Sequence, residues 1–337
     1  MKYLIGRDNL AATIYVPYDC QNNCPFCTSK KEYSRCKMDA TAVKEALKKL
    51  VRHPEIRDIV FTGGEPTANP QLLRELVEIA QHKKVFINTT LPRKNFYNCL
   101  SNVFNSGMVD GVNVSRHGTS FAQDSKLFRD IVEDWNIDAI QVPVKVNAVL
   151  DDNTSVDEVE EIIQRWQPHK NVTLCFRRDF RKTNFANLHP LYGDPILDYL
   201  SENYTFTGHT FCDVCDTVSF AERIAFHRGM EESSFEIGGK TVINDVIVFP
   251  DGYIAYDWDG KPIQYLDGFM DKAMPPKKKN PYARASATPQ TSYVGSCGLG
   301  GGCGSGQASP VVGYTGSCGR YSPTVLYTGS CGGGSRC

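Results

Sequence analysis

Along the first two hundred residues, short β-branched runs alternate with stretches of helical period. The run Ala12-Thr-Ile-Tyr-Val-Pro17 reads as a strand, and Val43, Ala46, Leu47, Leu50 and Val51 then recur at i, i+3, i+4, i+7 and i+8, predicting a helix over Ala42–His53. Ile59-Val-Phe61 is a second strand. Asn69-Pro70 supplies an N-cap and a first-turn proline for a helix whose apolar face is Leu72, Leu73, Leu76, Val77 and Ala80. The alternation continues with strands over Val85–Thr89, Gly111–Ser115, Gln141–Leu150 and Val172–Phe176. Helices are predicted over about Asn95–Ser106, Phe121–Trp135, Val156–Trp166 and Ile196–Leu200.

Six strand–helix units in series imply parallel strands joined by right-handed crossovers, an α/β fold with too few units for a complete eight-stranded barrel. On such a sheet a ligand sits where the strands end. Beyond Tyr204 the texture changes. Phe235–Ile243 and Val246–Tyr256 read as hairpins, turning at Gly238-Gly239 and at Pro250-Asp251-Gly252.

Two of the strand ends carry candidate chemistry. Directly after the first strand, Cys20-Gln-Asn-Asn-Cys24-Pro-Phe-Cys27 can bring three thiolates to one small volume. Soft thiolates suit zinc or an iron–sulfur cluster, and three ligands would leave one iron of a [4Fe–4S] cube open to a substrate. A structural zinc site, which normally needs a fourth ligand, and chance spacing in a cysteine-rich chain are the alternatives. The second strand runs into Thr62-Gly63-Gly64-Glu65-Pro66, where two glycines expose backbone to close approach and Glu65 can accept bonds from an ammonium group.

Together, C-x3-C-x2-C after the first strand and G-G-E-P after the second resemble the radical S-adenosylmethionine (radical SAM) superfamily. The resemblance implies a partial (βα)6 TIM-like barrel, which the six units match. It also implies a [4Fe–4S] cluster on Cys20, Cys24 and Cys27, with S-adenosylmethionine chelated to the open iron. Gly63, Gly64, Glu65 and Pro66 would contact the methionine amino group, and Phe26 would lie near the adenine. Reductive cleavage would give a 5′-deoxyadenosyl radical, with an electron donor such as flavodoxin or ferredoxin. Val112-Asn-Val-Ser-Arg116 and Lys145-Val-Asn-Ala-Val149 resemble strands of the molybdenum-cofactor and peptide-maturase branches, where Ser115 would meet the methionine carboxylate and Asn147 would help hold the cofactor. Both are otherwise polar strand ends satisfied by backbone, and His117 and Arg177-Arg178-Asp179 either face a substrate or form a solvated rim.

His209-Thr-Phe-Cys212-Asp-Val-Cys215 before the hairpins resembles the auxiliary-cluster appendage of peptide-modifying members, of twitch or SPASM type. The later cysteines of such appendages are missing, since that place reads Ala255-Tyr-Asp-Trp-Asp259. Cys212 and Cys215 are therefore candidate ligands of a second cluster, or of zinc with His209 or His227, or are buried thiols.

Composition bounds the rest. With no apolar run long enough to span a membrane and no signal-peptide pattern, the thirteen cysteines are read in a reducing cytoplasm, as ligands or reactive thiols. From Ala273 onward there are six Lys or Arg and no Asp or Glu. That leaves 37 less six, or 31, basic residues against 38 acidic ones in the first 272, a net of −7, which argues against a nucleic-acid footprint. The chain divides into a barrel over 1–203, a small α+β hairpin appendage over 204–272 and a disordered tail over 273–337.

The tail holds three copies of one hexapeptide, at Tyr293–Gly298, Tyr314–Gly319 and Tyr327–Gly332, each with a cysteine fifth: Cys297, Cys318 and Cys331. It reads as a flexible tail, a set of extra ligands, a sequence artefact, or a substrate tethered to its own enzyme. In the last case the three cysteines would be modified, because Gly- and Cys-rich cores resemble precursors of ribosomally made peptides (RiPPs) that radical enzymes cross-link through thioethers. Tethering would supply a high effective concentration. The expectation is a radical SAM oxidoreductase that modifies a peptide substrate. The alternatives are a small-molecule or nucleotide substrate with the tail a passenger, or a non-catalytic metal-binding module.

Overall fold

The computed structural model describes residues 4–5, 10–16, 20–22, 24, 27, 37–117, 130–151, 153–178, 194–211, 215–229, 234–256, 311–315 and 320–324. Strand β1 (Leu4–Ile5) precedes six parallel neighbours in one sheet. These are β2 (Leu10–Tyr15), β3 (Ile56–Thr62), β4 (Lys84–Thr89), β5 (Gly111–Ser115), β6 (Val144–Leu150) and β7 (Val172–Arg178). This mostly parallel open sheet is the expected partial barrel.

Except for Arg93–Cys99, which follows Pro92 without a side-chain cap, the helices described start where a side chain replaces the missing turn of hydrogen bonds. In α1 (Ala40–Val51), Asp39 Oδ1 accepts from the amides of Thr41 and Ala42, both at 3.0 Å. Asn69 Oδ1 accepts from Leu72 N at 3.1 Å to begin α2 (Pro70–Ala80). The segment expected as one helix over Asn95–Ser106 is α3 (Arg93–Cys99) running into a π-helical turn, Leu100–Phe104. Ser155 caps α4 (Val156–Trp166), and Asp194 caps α5 (Pro195–Asn203). Most of the helix expected across Phe121–Trp135 lies outside the described residues, and its expected end is instead a 3-10 turn, Asp134–Ala139.

From residue 206 onward the strands extend this sheet at both edges. Beyond β7 come β10 (Ile224–Gly229), parallel to it, then β9 (Cys215–Phe220) and β8 (Phe206–Phe211), each antiparallel to its neighbour. At the other edge β13 (Asp245–Val248) pairs in parallel with β2 and carries the short β14 (Ile254–Ala255), giving eleven strands in all. The expected Gly238-Gly239 hairpin is β11 (Ser234–Ile237) with β12 (Lys240–Ile243), its glycines at φ +56° and +72°, and β1 pairs with β12. In the second hairpin, Gly252 at φ +80° donates from its amide to Phe249 O at 2.8 Å. This turn presses on the start of α1, since a Cβ on Gly252 would lie 2.6 Å from the Ala42 carbonyl carbon. Within the expected tail, β15 (Val311–Thr315) and β16 (Arg320–Thr324) form an antiparallel pair, with Cys318 between them outside the described residues. Cys297 and Cys331 also lie outside them.

The parallel strands have two unlike faces. Ala12, Ile14, Ile59, Phe61, Val85, Ile87, Val112, Val114, Val144, Val146, Leu174 and Phe176 are buried in one core with Leu47, Leu50, Leu76, Ile163 and Trp166 of the helices. The alternate positions point to the inner face and are largely polar, among them Thr13, Asp58, Asn113, Lys145 and Asn147. Arg178 falls on the helix-covered face rather than on a substrate rim. It is buried there in a bidentate pair with Asp194, at 2.9 and 2.7 Å, and donates to Asp151 O at 2.8 Å. Asp179 lies outside the described residues.

Candidate active site

The loop after β2 leaves the sheet where Val16 N donates to Thr62 O at 2.7 Å, so the ends of β2 and β3 stay side by side. Cys20, Cys24 and Cys27 are half-buried in this loop, none in a disulfide, and Cys27 N donates to Cys24 O at 3.2 Å. Phe26 lies outside the described residues. The donor set fits a thiolate-held cluster in kind. Among the described residues, however, no three His, Cys, Asp or Glu side chains are gathered around one point as metal ligands. Between Cys20 and Cys24, Asn22 is only 8% exposed, and its Nδ2 donates to Thr90 Oγ1 at 3.1 Å.

After β3, Gly63 sits at φ +131°, a backbone conformation that glycine alone adopts readily. Glu65 follows at 2% exposure and caps the short 3-10 turn Pro66–Ala68. Its Oε1 accepts from Thr67 N (3.1 Å), Thr67 Oγ1 (2.6 Å) and Thr89 Oγ1 (2.5 Å). Its Oε2 accepts from Thr90 N (2.8 Å) and Thr90 Oγ1 (2.7 Å). Five donors fill the roughly four lone-pair sites of a carboxylate. Glu65 therefore knits the ends of β3 and β4 together, with the half-buried Gly63 and Gly64 beside it.

The ends of β5 and β6 carry the next groups. Ser115 is half-buried and opposite Asn147 in register. Arg116 is buried, and its Nη1 donates to Thr90 O at 2.6 Å and to Ser115 O at 2.9 Å while Nη2 reaches Val132 O at 3.2 Å. Burial lowers its pKa to about 10 against the opposing pull of Asp134, so the guanidinium stays charged at neutral pH. His117 Nδ1 accepts from Val149 N at 2.9 Å. Burial first, and then the neighbouring Arg116, push its pKa down to about 3, so the ring is neutral with its proton on Nε2. Asn147 presents a buried Oδ1 that has no hydrogen-bond partner among the described residues. That oxygen can accept a hydrogen bond from a bound group or from water.

Toward the appendage, Arg177, His227 and Thr217 lie side by side in register on β7, β10 and β9, and His227 Nδ1 and Thr217 Oγ1 are hydrogen-bonded at 2.9 Å. Cys215 opens β9 opposite Gly229, and Cys212 lies outside the described residues. The sequence pattern passes over Thr67 and Thr89, which hold Glu65, and over Thr90 and Asn22, which join the two motifs. Threonines closing a strand carry no signal of their own, and only Asn22 lies within a motif.

A family model described as the radical SAM superfamily matches residues 14–165. No curated protein sequence matches the chain. Among solved structures, Streptococcus suis SuiB superposes with a TM-score of 0.52 at 13% identity, covering 80% of this chain and 67% of that one. SuiB bound to S-adenosylmethionine gives 0.51 at 12% identity, covering 84% and 69%. A histidine-tagged anSMEcpe with bound AdoMet reaches 0.40 at 18% identity over 55% of this chain and 53% of its own, too partial an overlay to build on. At these identities the likeness to SuiB speaks for the fold.

Proposed function

We propose, from the premise that residues 14–165 of this chain are a radical SAM domain, that Cys20, Cys24 and Cys27 hold its [4Fe–4S] cluster and that the adjoining strand ends hold S-adenosylmethionine. When bound, these cofactors supply a 5′-deoxyadenosyl radical that takes a hydrogen atom from a substrate. The observation that carries the reading is the placement of three unbridged thiols and the G-G-E-P turn at adjacent strand ends, joined by Asn22 and Thr90.

The chain's own residues orient and shield. The Gly63-Gly64 backbone receives the methionine amino group, Ser115 faces its carboxylate, and the Asn147 Oδ1 accepts from the cofactor. Glu65 and Arg116 hold the strand ends, Phe26 would serve the adenine as the motif implies, and an electron would enter from a flavodoxin- or ferredoxin-type donor. Anaerobic reconstitution with iron and sulfide should load about four irons per chain on this site and give reductant-dependent 5′-deoxyadenosine. Production of 5′-deoxyadenosine by a Cys20/Cys24/Cys27→Ala triple variant would refute the assignment.

The substrate in this reading is a peptide. Its support is the maturase-like sequence at the ends of β5 and β6 and the cysteine-bearing repeats after residue 273. The repeats themselves are the preferred target, with thioethers to Cys297, Cys318 and Cys331, while Cys212 and Cys215 belong to a second metal site in the appendage. After anaerobic turnover, a tryptic map should show two hydrogens lost and one cysteine closed to alkylation per thioether. Five freely alkylated tail cysteines alongside robust 5′-deoxyadenosine formation would remove the tail as substrate. Turnover of a nucleotide by a chain ending near Asp271 would favour a small-molecule substrate.

A further inference from the structure

We infer that Thr90 is a positioning residue that ties the cysteine loop to G-G-E-P and fixes the centre of that loop before any cofactor binds. The functional weight of this tie rests on the cluster assignment proposed above, but the tie itself is a property of the polypeptide.

Every polar group of Thr90 is engaged. Its amide and hydroxyl both donate to Glu65 Oε2, at 2.8 and 2.7 Å. The same hydroxyl accepts from Asn22 Nδ2 at 3.1 Å, and its carbonyl accepts from Arg116 Nη1 at 2.6 Å. The backbone of one residue thus lies between two opposite buried charges, its N–H toward the carboxylate and its C=O toward the guanidinium. The chain must turn sharply to present it so. Leu91, fully buried and not a glycine, adopts φ +55°, and its amide returns to Thr89 Oγ1 at 2.9 Å. Strain of this kind persists only where the surroundings over-determine it.

Asn22 is the loop's end of the tie, two residues from Cys20 and two from Cys24. Pinning it removes conformations in which these thiols diverge, so less ordering entropy opposes cluster binding. The joint needs a group that donates to a carboxylate and accepts an amide N–H at the same time. Serine can serve at position 90. Valine, of nearly the same shape, cannot.

The test is thiol alkylation of the cofactor-free full-length chain, followed by peptide mass mapping of each cysteine. Thr90→Val and Asn22→Ala should speed labelling of Cys20 and Cys24 by about tenfold, the order expected for loss of one such hydrogen bond. Thr90→Ser should label at the wild-type rate. Cys99 is the control for folding, because it is buried and burial raises its thiol pKa to about 12. Labelling rates of Cys20 and Cys24 unchanged in both variants, with Cys99 protected, would overturn the inference, and so would Thr90→Ser behaving like Thr90→Val. If Thr90→Val exposes Cys99, Asn22→Ala alone decides. Iron bound on reconstitution is then read in the same variants. Failure of the wild-type chain to bind iron would sink the cluster assignment and leave the labelling result standing.

Discussion

The two faces of the parallel sheet are built from the same six strands and obey opposite rules. On β6, Val144, Val146 and Ala148 meet the helices, while Lys145 and Asn147 turn inward. Burial does not separate the faces, since Lys145 and Asn113 are as inaccessible as many of the valines. What differs is the return on burial. An apolar side chain gains about 25 cal/mol per Å2 removed from water, whereas a polar one gains nothing until it is hydrogen-bonded. The helix-covered face therefore stabilises the sheet, and the inner face holds groups a ligand can use.

Substitutions on the two faces should separate stability from cofactor binding. The largest effect is the Cys20/Cys24/Cys27→Ala triple. It should abolish bound iron and 5′-deoxyadenosine while shifting urea-measured stability by under about 0.5 kcal/mol, because half-buried loop positions carry little packing. Asp194→Ala on the helix-covered face should do the reverse. Stranding the buried Arg178 guanidinium costs about 3–5 kcal/mol in denaturant titration, with cofactor affinity unchanged if the protein is kept cold enough to fold. Leu47→Ala in the same core should cost about 2–5 kcal/mol with the same indifference to cofactor.

A smaller effect lies in pH. His117 is neutral in the folded chain with a pKa near 3, against about 6.5 when unfolded. Its contribution is complete above pH 6.5 and is lost as pH falls toward 3, at up to about 1.4 kcal/mol per pH unit. Melting from pH 7 to 5 should show a loss of about 2 kcal/mol that His117→Asn flattens. Asn147→Leu removes an orphaned oxygen and, like the cysteine triple, should leave stability nearly unchanged, within about 1 kcal/mol. On the proposed reading it weakens S-adenosylmethionine binding, measured by calorimetry, by about tenfold. A large loss of stability without a loss of binding would erase the distinction between the faces at this position.

Much of this was legible in the chain. The six parallel strands announce themselves as short aliphatic runs, and α1, α2 and α4 through their period, because local pattern and tertiary burial agree there. The hairpin turns at Gly238-Gly239 and Pro250-Asp251-Gly252 are equally plain. Strands β8 to β10 were not, since sequences such as Phe206-Thr-Gly-His-Thr-Phe211 owe their extended form to neighbours distant in the chain. The motif cysteines and Gly63–Pro66 could be picked out by spacing. The five bonds that Glu65 accepts could not, because three threonines in ordinary strand and turn positions supply them. Nor does a run such as Val-Ser-Arg-His reveal that Arg116 will be buried against three backbone carbonyls.

The strand that bears the cysteine loop has neighbours of very different age. β3 follows it closely in the chain, but the partner on its other side, β13, begins only at Asp245, which pairs with Ala11. A ribosome adding about 5–20 residues per second needs on the order of ten seconds or more to reach it from β3. For that interval β2 is an open edge, and the turn carrying Gly252 has not yet come down on α1. The loop with Cys20, Cys24 and Cys27 thus leaves the ribosome long before the strand that completes the sheet on its far side, so the closing of β13 on β2 is among the latest steps in building this site's surroundings.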